Sequence, residues 1–170
     1  MDKLFKNFND VGLKCDWFTV LVGIKYKFIN VQDVHNYVER FLLDNDDENA
    51  SVELLFLDNI YDIYEFVKNI IQKNNKNILG NEVLWNREKD RWIYCMLYNL
   101  RNKEKNIDLL MEKVAEIYDA FDCPQYMDQF VYYMPVKDDY VPLEHSVEEN
   151  QERLLNFFDQ YLSEYILKLK

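Results

Sequence analysis

The side chains able to do chemistry are few and scattered. Carboxylates crowd together at Asp46-Asp47-Glu48 and at Asp138-Asp139, and such groups can hold a divalent cation or share a proton. A calcium loop needs a spaced series of oxygen ligands around a turn glycine, and neither stretch has one. Zinc takes three or four Cys, His or carboxylate ligands. The chain has two histidines, His35 and His145, and three cysteines, Cys15, Cys95 and Cys123, with no CxxC pair. A nucleophilic cysteine needs a base beside it, and no local pattern ties either histidine to a thiol. The cysteines therefore read as reduced, partly buried thiols of a cytoplasmic protein. His35 reads as a structural side chain inside a helix, and His145 as one packed against a helix start. Neither GxGxxG nor GxxxxGK[ST] occurs, so these nucleotide-binding devices are set aside. The expectation is a non-enzyme with no catalytic residues, no metal site and no cofactor.

Binding is better signalled than catalysis. Residues 119–152 hold nine carboxylates (Asp119, Asp122, Asp128, Asp138, Asp139, Glu144, Glu148, Glu149 and Glu152) against the single cation Lys137. That is a net of −8 out of −11 for the whole chain. The stretch also contains all three prolines and the aromatics Phe121, Tyr126, Phe130, Tyr132, Tyr133 and Tyr140. Aromatics mixed with charge on an irregular segment match the make-up of protein-binding surfaces. The pI near 4.6 argues against nucleic acid and against acidic membrane surfaces, because phosphate binding needs clustered Lys and Arg. Arg87, Lys89, Arg91, Arg101, Lys103 and Lys105 alternate with Glu88, Asp90 and Glu104, which suggests salt-bridged solvent faces rather than a phosphate track.

The elements that must carry these residues are helical. A chain of 170 residues with 49% hydrophobic composition can form one core without a metal or disulfide staple. Three glycines and three prolines are too few for a sandwich or a doubly wound sheet. Residues 3–9 suggest a short helix ended by Gly12. Asp16 then looks like an N-cap for residues 17–24, a run apolar nearly all round that periodicity alone leaves open between helix and strand. Lys25 and Lys27 in its last turn favour the helix. Asn30 is placed as the next cap, followed by Val31, Val34, Tyr37, Val38, Phe41 and Leu42. Residues 44–49 read as an acidic linker, 51–57 as a short apolar run, and Asp58 or Asn59 as the start of a helix through Ile71. Residues 82–101 form the clearest mid-chain helix, with Trp85 and Trp92 two turns apart on one face. A further helix is expected at 106–120. Ser146 and Glu149 make a capping-box pattern for a C-terminal helix. Most aromatics, including Tyr61, Tyr64 and Phe66, are assigned to core packing. The N-terminus lacks the apolar run of a signal peptide, and no stretch approaches about 18 apolar residues. The expected fold is all-α: one globular domain, 1–170, of six to eight helices with an irregular acidic segment near 121–145.

Two segments carry a resemblance. Asp16-Trp17-Phe18-Thr19-Val20-Leu21-Val22-Gly23 with Ile29-Asn30-Val31-Gln32-Asp33-Val34 resembles an opening "W-x-T-V-L-x-G…I-S-x-x-D-V", with Asn30 standing for the serine. Residues Asp119 to Pro135 resemble a centre "DFDYPxxMxxFVxYMP". Glu148-Glu149-Asn150-Gln151-Glu152-Arg153-Leu154 is similar to the "E-x-N-x-x-R-L" helix that follows it. Together they resemble a bacterial family known as domain of unknown function 2247, over about residues 13–162. Small acidic families of this kind often accompany polymorphic toxin genes, so the resemblance implies an immunity role.

The functional expectation is an immunity (antitoxin-like) protein that occludes a cognate, basic toxin domain. The residues placed at the contact are Asp122, Asp128, Asp138, Asp139 and Glu144 for charge, with Tyr126, Tyr133 and Tyr140 as anchors. The best-exposed part is expected to be the middle, Lys137 to Glu144. The protein itself is expected to be a monomer or weak homodimer. A helical adaptor unrelated to toxins is the alternative, and an enzyme with an unfamiliar carboxylate site is the third reading.

Overall fold

The structure is a computed structural model that describes residues 8–44, 52–74 and 77–169. Residues 45–49 of the acidic run 44–49 and most of the proposed 3–9 helix lie outside the described residues. All regular structure among the described residues is helical. The α-helices are α1 (Trp17–Lys25), α2 (Val31–Asp44), α3 (Ile60–Asn74), α4 (Glu82–Lys103), α5 (Ile107–Ala120) and α6 (Val147–Leu169). Tight 3-10 turns cover Glu53–Phe56, Gln125–Phe130 and Pro142–Glu144. No described helix is long and apolar enough to cross a membrane.

The helix starts follow local chemistry. The first four N–H groups of a helix have no partner within it. The Thr19 N–H donates to Asp16 Oδ1 at 2.9 Å and the Asp16 N–H donates to Thr19 Oγ1 at 3.2 Å, so both ends of the box are satisfied. This makes residues 17–25 a helix although their apolar run left a strand open. Asn30 and Asp33 exchange the same pair of bonds at the start of α2. Asn59 accepts from the Tyr61 N–H at α3, and Asn106 accepts from the Leu109 N–H at α5. Ser146 and Glu149 close the box of α6.

The chain divides into two compact units, Met1–Trp92 and Ile93–Lys170, and the boundary falls inside α4 rather than in a linker. In the first unit α1 packs on α3 and α2 on the 53–56 turn. Val20, Leu21, Val34, Val38, Leu54, Ile63 and Val67 are fully buried. His35 Nε2 lies 3.1 Å from the Leu57 carbonyl, a structural contact. The Trp92 indole N–H donates to the Thr19 carbonyl at 3.0 Å, with Phe8 edge-on at 4.9 Å. A Cβ on Gly23 would come within 2.7 Å of the Trp92 ring, so the close approach of α1 requires glycine. Tyr61 departs from its core assignment: it is 77% exposed.

The solvent-face reading fails at one pair. Glu88 is buried at 5% exposure and accepts from Arg91 at 2.5 Å. Arg91 also donates to the Lys14 carbonyl. Burial pushes the Glu88 carboxyl up, and Arg91 opposes that shift. Burial, with Glu88 and Asp16 nearby, also holds the Cys15 thiol well above its usual range. All three cysteines are free thiols: Cys15 is half-buried, Cys95 buried and Cys123 exposed.

In the second unit α6 packs on the 125–130 turn. Phe130 stacks on Phe158 at 5.1 Å and leans on Tyr161 at 5.2 Å. The Tyr94 hydroxyl donates to the Leu162 carbonyl at 2.9 Å, and Arg101 grips Asp159 with two bonds at 2.7 and 2.9 Å. Helix α5 ends where Asp122 and Cys123 take left-handed backbone angles, φ 62° and 54°, ahead of Pro124. Asp tolerates that conformation better than most side chains.

Candidate functional site

The acidic segment is held in place by its own side chains. Tyr118, on the last turns of α5, donates its hydroxyl to Asp128 Oδ1 at 2.8 Å. Lys137 reaches Asp128 Oδ2 at 2.6 Å. Asp128 is thus a buried carboxylate, 8% exposed, with a bond on each oxygen. The Lys137 ammonium, followed by Tyr118, holds its carboxyl below the usual range against the effect of burial. Burial first, and then Asp128, push the Tyr118 phenol up to about 12. Beside this knot the Tyr133 hydroxyl donates to Asp119 at 2.5 Å, which raises the Tyr133 phenol well above its usual range.

A second set of contacts ties the loop 137–146 to α6. Arg153 donates to Asp138 Oδ2 at 2.6 Å, and the Tyr140 N–H donates to Asp138 Oδ1 at 3.2 Å. The Tyr140 backbone bond and Arg153 both lower the Asp138 carboxyl. The Arg153 guanidinium lies between two rings, 4.3 Å from Tyr140 and 4.7 Å from Phe157. His145 stacks on Tyr140 at 4.4 Å, so it packs at the start of α6 as the sequence suggested. The Tyr140 hydroxyl donates to Asn150 at 2.8 Å. Asn150 in turn donates to the Pro142 and Ser146 carbonyls.

These contacts sort the eight sequence-predicted residues. Asp128, Asp138 and Tyr140 line one hollow of about 450 Å³ against α6. Asp128 lies in that wall, buried and with a bond on each carboxylate oxygen, so it helps to hold the fold. Tyr126 also turns inward: it stacks on Tyr161 at 5.6 Å and on Tyr165 at 5.0 Å. Tyr140 is half-buried in the Arg153 stack. Asp139 and Glu144 are exposed and form no ion pair among the described residues. Asp122 is exposed at the end of α5, and Tyr133 is 47% exposed.

Sequence reasoning missed the groups that shape the loop. Arg153 and Asn150 lie within the helix motif, yet their partners sit 15 and 10 residues away. It also passed over the exposed apolar side chains Val136, Val141 and Leu143, the last 97% exposed. Their signal was their place beside the prolines, with Val136 and Val141 between Pro135 and Pro142 and Leu143 directly after Pro142, in a stretch that prolines keep from forming a long helix.

The order of these elements can be compared with known proteins. A family model described as "Uncharacterized protein conserved in bacteria (DUF2247)" matches residues 5–166. The chain belongs to the DUF2247 family. That match takes in the left-handed corner at Asp122-Cys123, the Asp128 knot and the Arg153 stack together. It agrees with the resemblance carried by residues 119–135 and 148–154. No curated protein matches the chain, and no solved structure matches it.

Proposed function

We propose that this chain is an immunity (antitoxin-like) protein that binds and neutralises a cognate bacterial toxin domain by occlusion, acting in the cytoplasm and without catalysis of its own. The observation that carries this reading is the loop 132–144. Asp139 and Glu144 stand exposed there among Tyr132, Tyr133, Val136, Val141 and Leu143, all exposed large side chains. The Asp138–Arg153 pair and the Tyr140 stack hold that loop in one shape, and a surface ordered in advance loses less entropy on binding. A toxin that acts on phosphates must present a cationic site. Opposite charge speeds its association and disfavours wrong partners, while apolar and aromatic anchors supply most of the affinity.

Co-expression with the adjacent open reading frame tests this reading. The neighbour is expected to be toxic alone and harmless beside this chain. A harmless neighbour, or one that stays toxic, would leave a helical adaptor as the better account. The contact itself is tested by Asp139→Lys with Glu144→Lys, which spare the Arg153 pair. Association with the toxin domain should slow at least tenfold and lose most of its salt dependence. Unchanged kinetics would place the interface elsewhere.

A further inference from the structure

Two hollows flank the Tyr140–Arg153–Phe157 stack, and those three side chains are common to both. The first, about 450 Å³, has an apolar side made by Val131, Tyr132, Pro135, Val136 and Leu154, and its wall also holds the paired charges of Asp128 with Lys137 and Asp138 with Arg153. The second, about 340 Å³, is lined by Glu149, Glu152, Asn156 and Gln160 from one side of α6, with His145 at its edge. Their chemistry is complementary: one offers burial to a hydrocarbon side chain, the other offers carboxylates to a cation.

The charge around the stack is not balanced locally. Lys137 and Arg153 each already face a carboxylate at 2.6 Å. Glu152 is exposed on α6 and forms no ion pair among the described residues, and the same holds for Asp139, Glu144 and Glu148. A cation that enters the second hollow therefore meets the unpaired Glu152, beside Glu149, whose carboxylate already accepts the Ser146 N–H at 2.8 Å and lies 3.7 Å from His145. Val136 and Tyr132 remain 36% and 56% exposed at the first hollow, so an apolar side chain seated there removes further apolar surface from water.

We propose that the two hollows form a bipartite dock for a protein segment that presents an apolar side chain two residues from a lysine or arginine. Side chains two apart in an extended chain point to the same face, which suits two neighbouring hollows that share three lining side chains. This deepens the immunity reading by naming what the partner must present, and it rests on that reading only for the partner's identity.

The test needs no toxin. The whole chain, labelled with 15N, is titrated with three synthetic peptides: Ac-Ser-Leu-Gly-Lys-Ser-NH2, the same peptide with Glu for Lys, and the same peptide with Ser for Leu. The first is expected to give saturable amide shifts at 131–140 and 149–157. The other two should bind at least tenfold more weakly. Glu152→Lys should weaken the Lys peptide at least tenfold and strengthen the Glu peptide, a swap that a purely structural change would not produce. Val136→Asp should weaken both. Absence of saturable shifts, shifts mapped elsewhere, equal binding of the three peptides, or loss without the swap would each overturn the dock. Peptide binding without toxin neutralisation would sink the immunity reading and leave the dock standing. Neutralisation with no peptide binding would do the reverse.

Discussion

Removing Arg153 should loosen the acidic loop without unfolding the helices. Its guanidinium makes one ion pair with Asp138, whose side chain is 56% exposed; an exposed pair of this kind contributes about 0.2–1 kcal/mol. It lies over two rings at 4.3 and 4.7 Å, each contact adding about 0.5–1 kcal/mol at a partly exposed site. Arg153→Ala should therefore destabilise the protein by about 1–3 kcal/mol. For a chain of this length that corresponds to a fall in Tm of about 2–4 °C per kcal/mol. Arg153→Lys keeps the charge but not the flat, stacked fork, and should lose roughly half as much. Urea unfolding gives the global value, and amide exchange across 137–146 locates it. The exchange rates of those amides should rise several-fold while those of α3 stay unchanged. A variant within about 0.5 kcal/mol of the wild type, with exchange in 137–146 unaltered, would refute the clamp.

Two further perturbations probe the packed parts. Asp128→Asn should cost about 1–3 kcal/mol at neutral pH, since hydrogen bonds to a charged group are worth about that much. The Asp128 carboxyl is lowered in the folded state, so its contribution is present above the unfolded carboxylate value near 3.9 and fades as pH falls through the lower folded value. The gap between variant and wild type should thus close as pH falls below about 4, and parallel stability curves would contradict the assignment. Gly23→Val places atoms inside contact distance of Trp92 and Ile29; overpacking of that kind costs about 1–3 kcal/mol, and an unchanged Tm would show that α1 can move away.

Much of the helical framework was legible because its signals are short. Asp16 with Thr19, Asn30 with Asp33, and Ser146 with Glu149 are contacts across three residues, and a sequence displays such spacing directly. The C-terminal helix and the break near 121–145 followed from the same kind of evidence. The 16–24 segment was the exception: its apolar run suits either a helix or a strand, and its buried surroundings complete what the Asp16 cap begins. The site was legible in outline only. The stretch 119–152 advertised its charge, but charge in a sequence does not say which carboxylates already have a partner.

What the sequence determined by itself, then, is an all-helical chain with its negative charge gathered on one irregular, aromatic-bearing segment. Composition, capping spacing and apolar periodicity are local properties, and they survive without coordinates. Only the tertiary structure decided which of those charges face solvent. Asp128 meets Tyr118 and Lys137 across ten and nine residues, and Asp138 meets Arg153 across 15. Glu88 and Arg91 leave the surface because Arg91 finds a carbonyl 77 residues away. Each of these pairings depends on how the chain turns back on itself, since a carboxylate's surroundings are set by whatever the fold brings beside it.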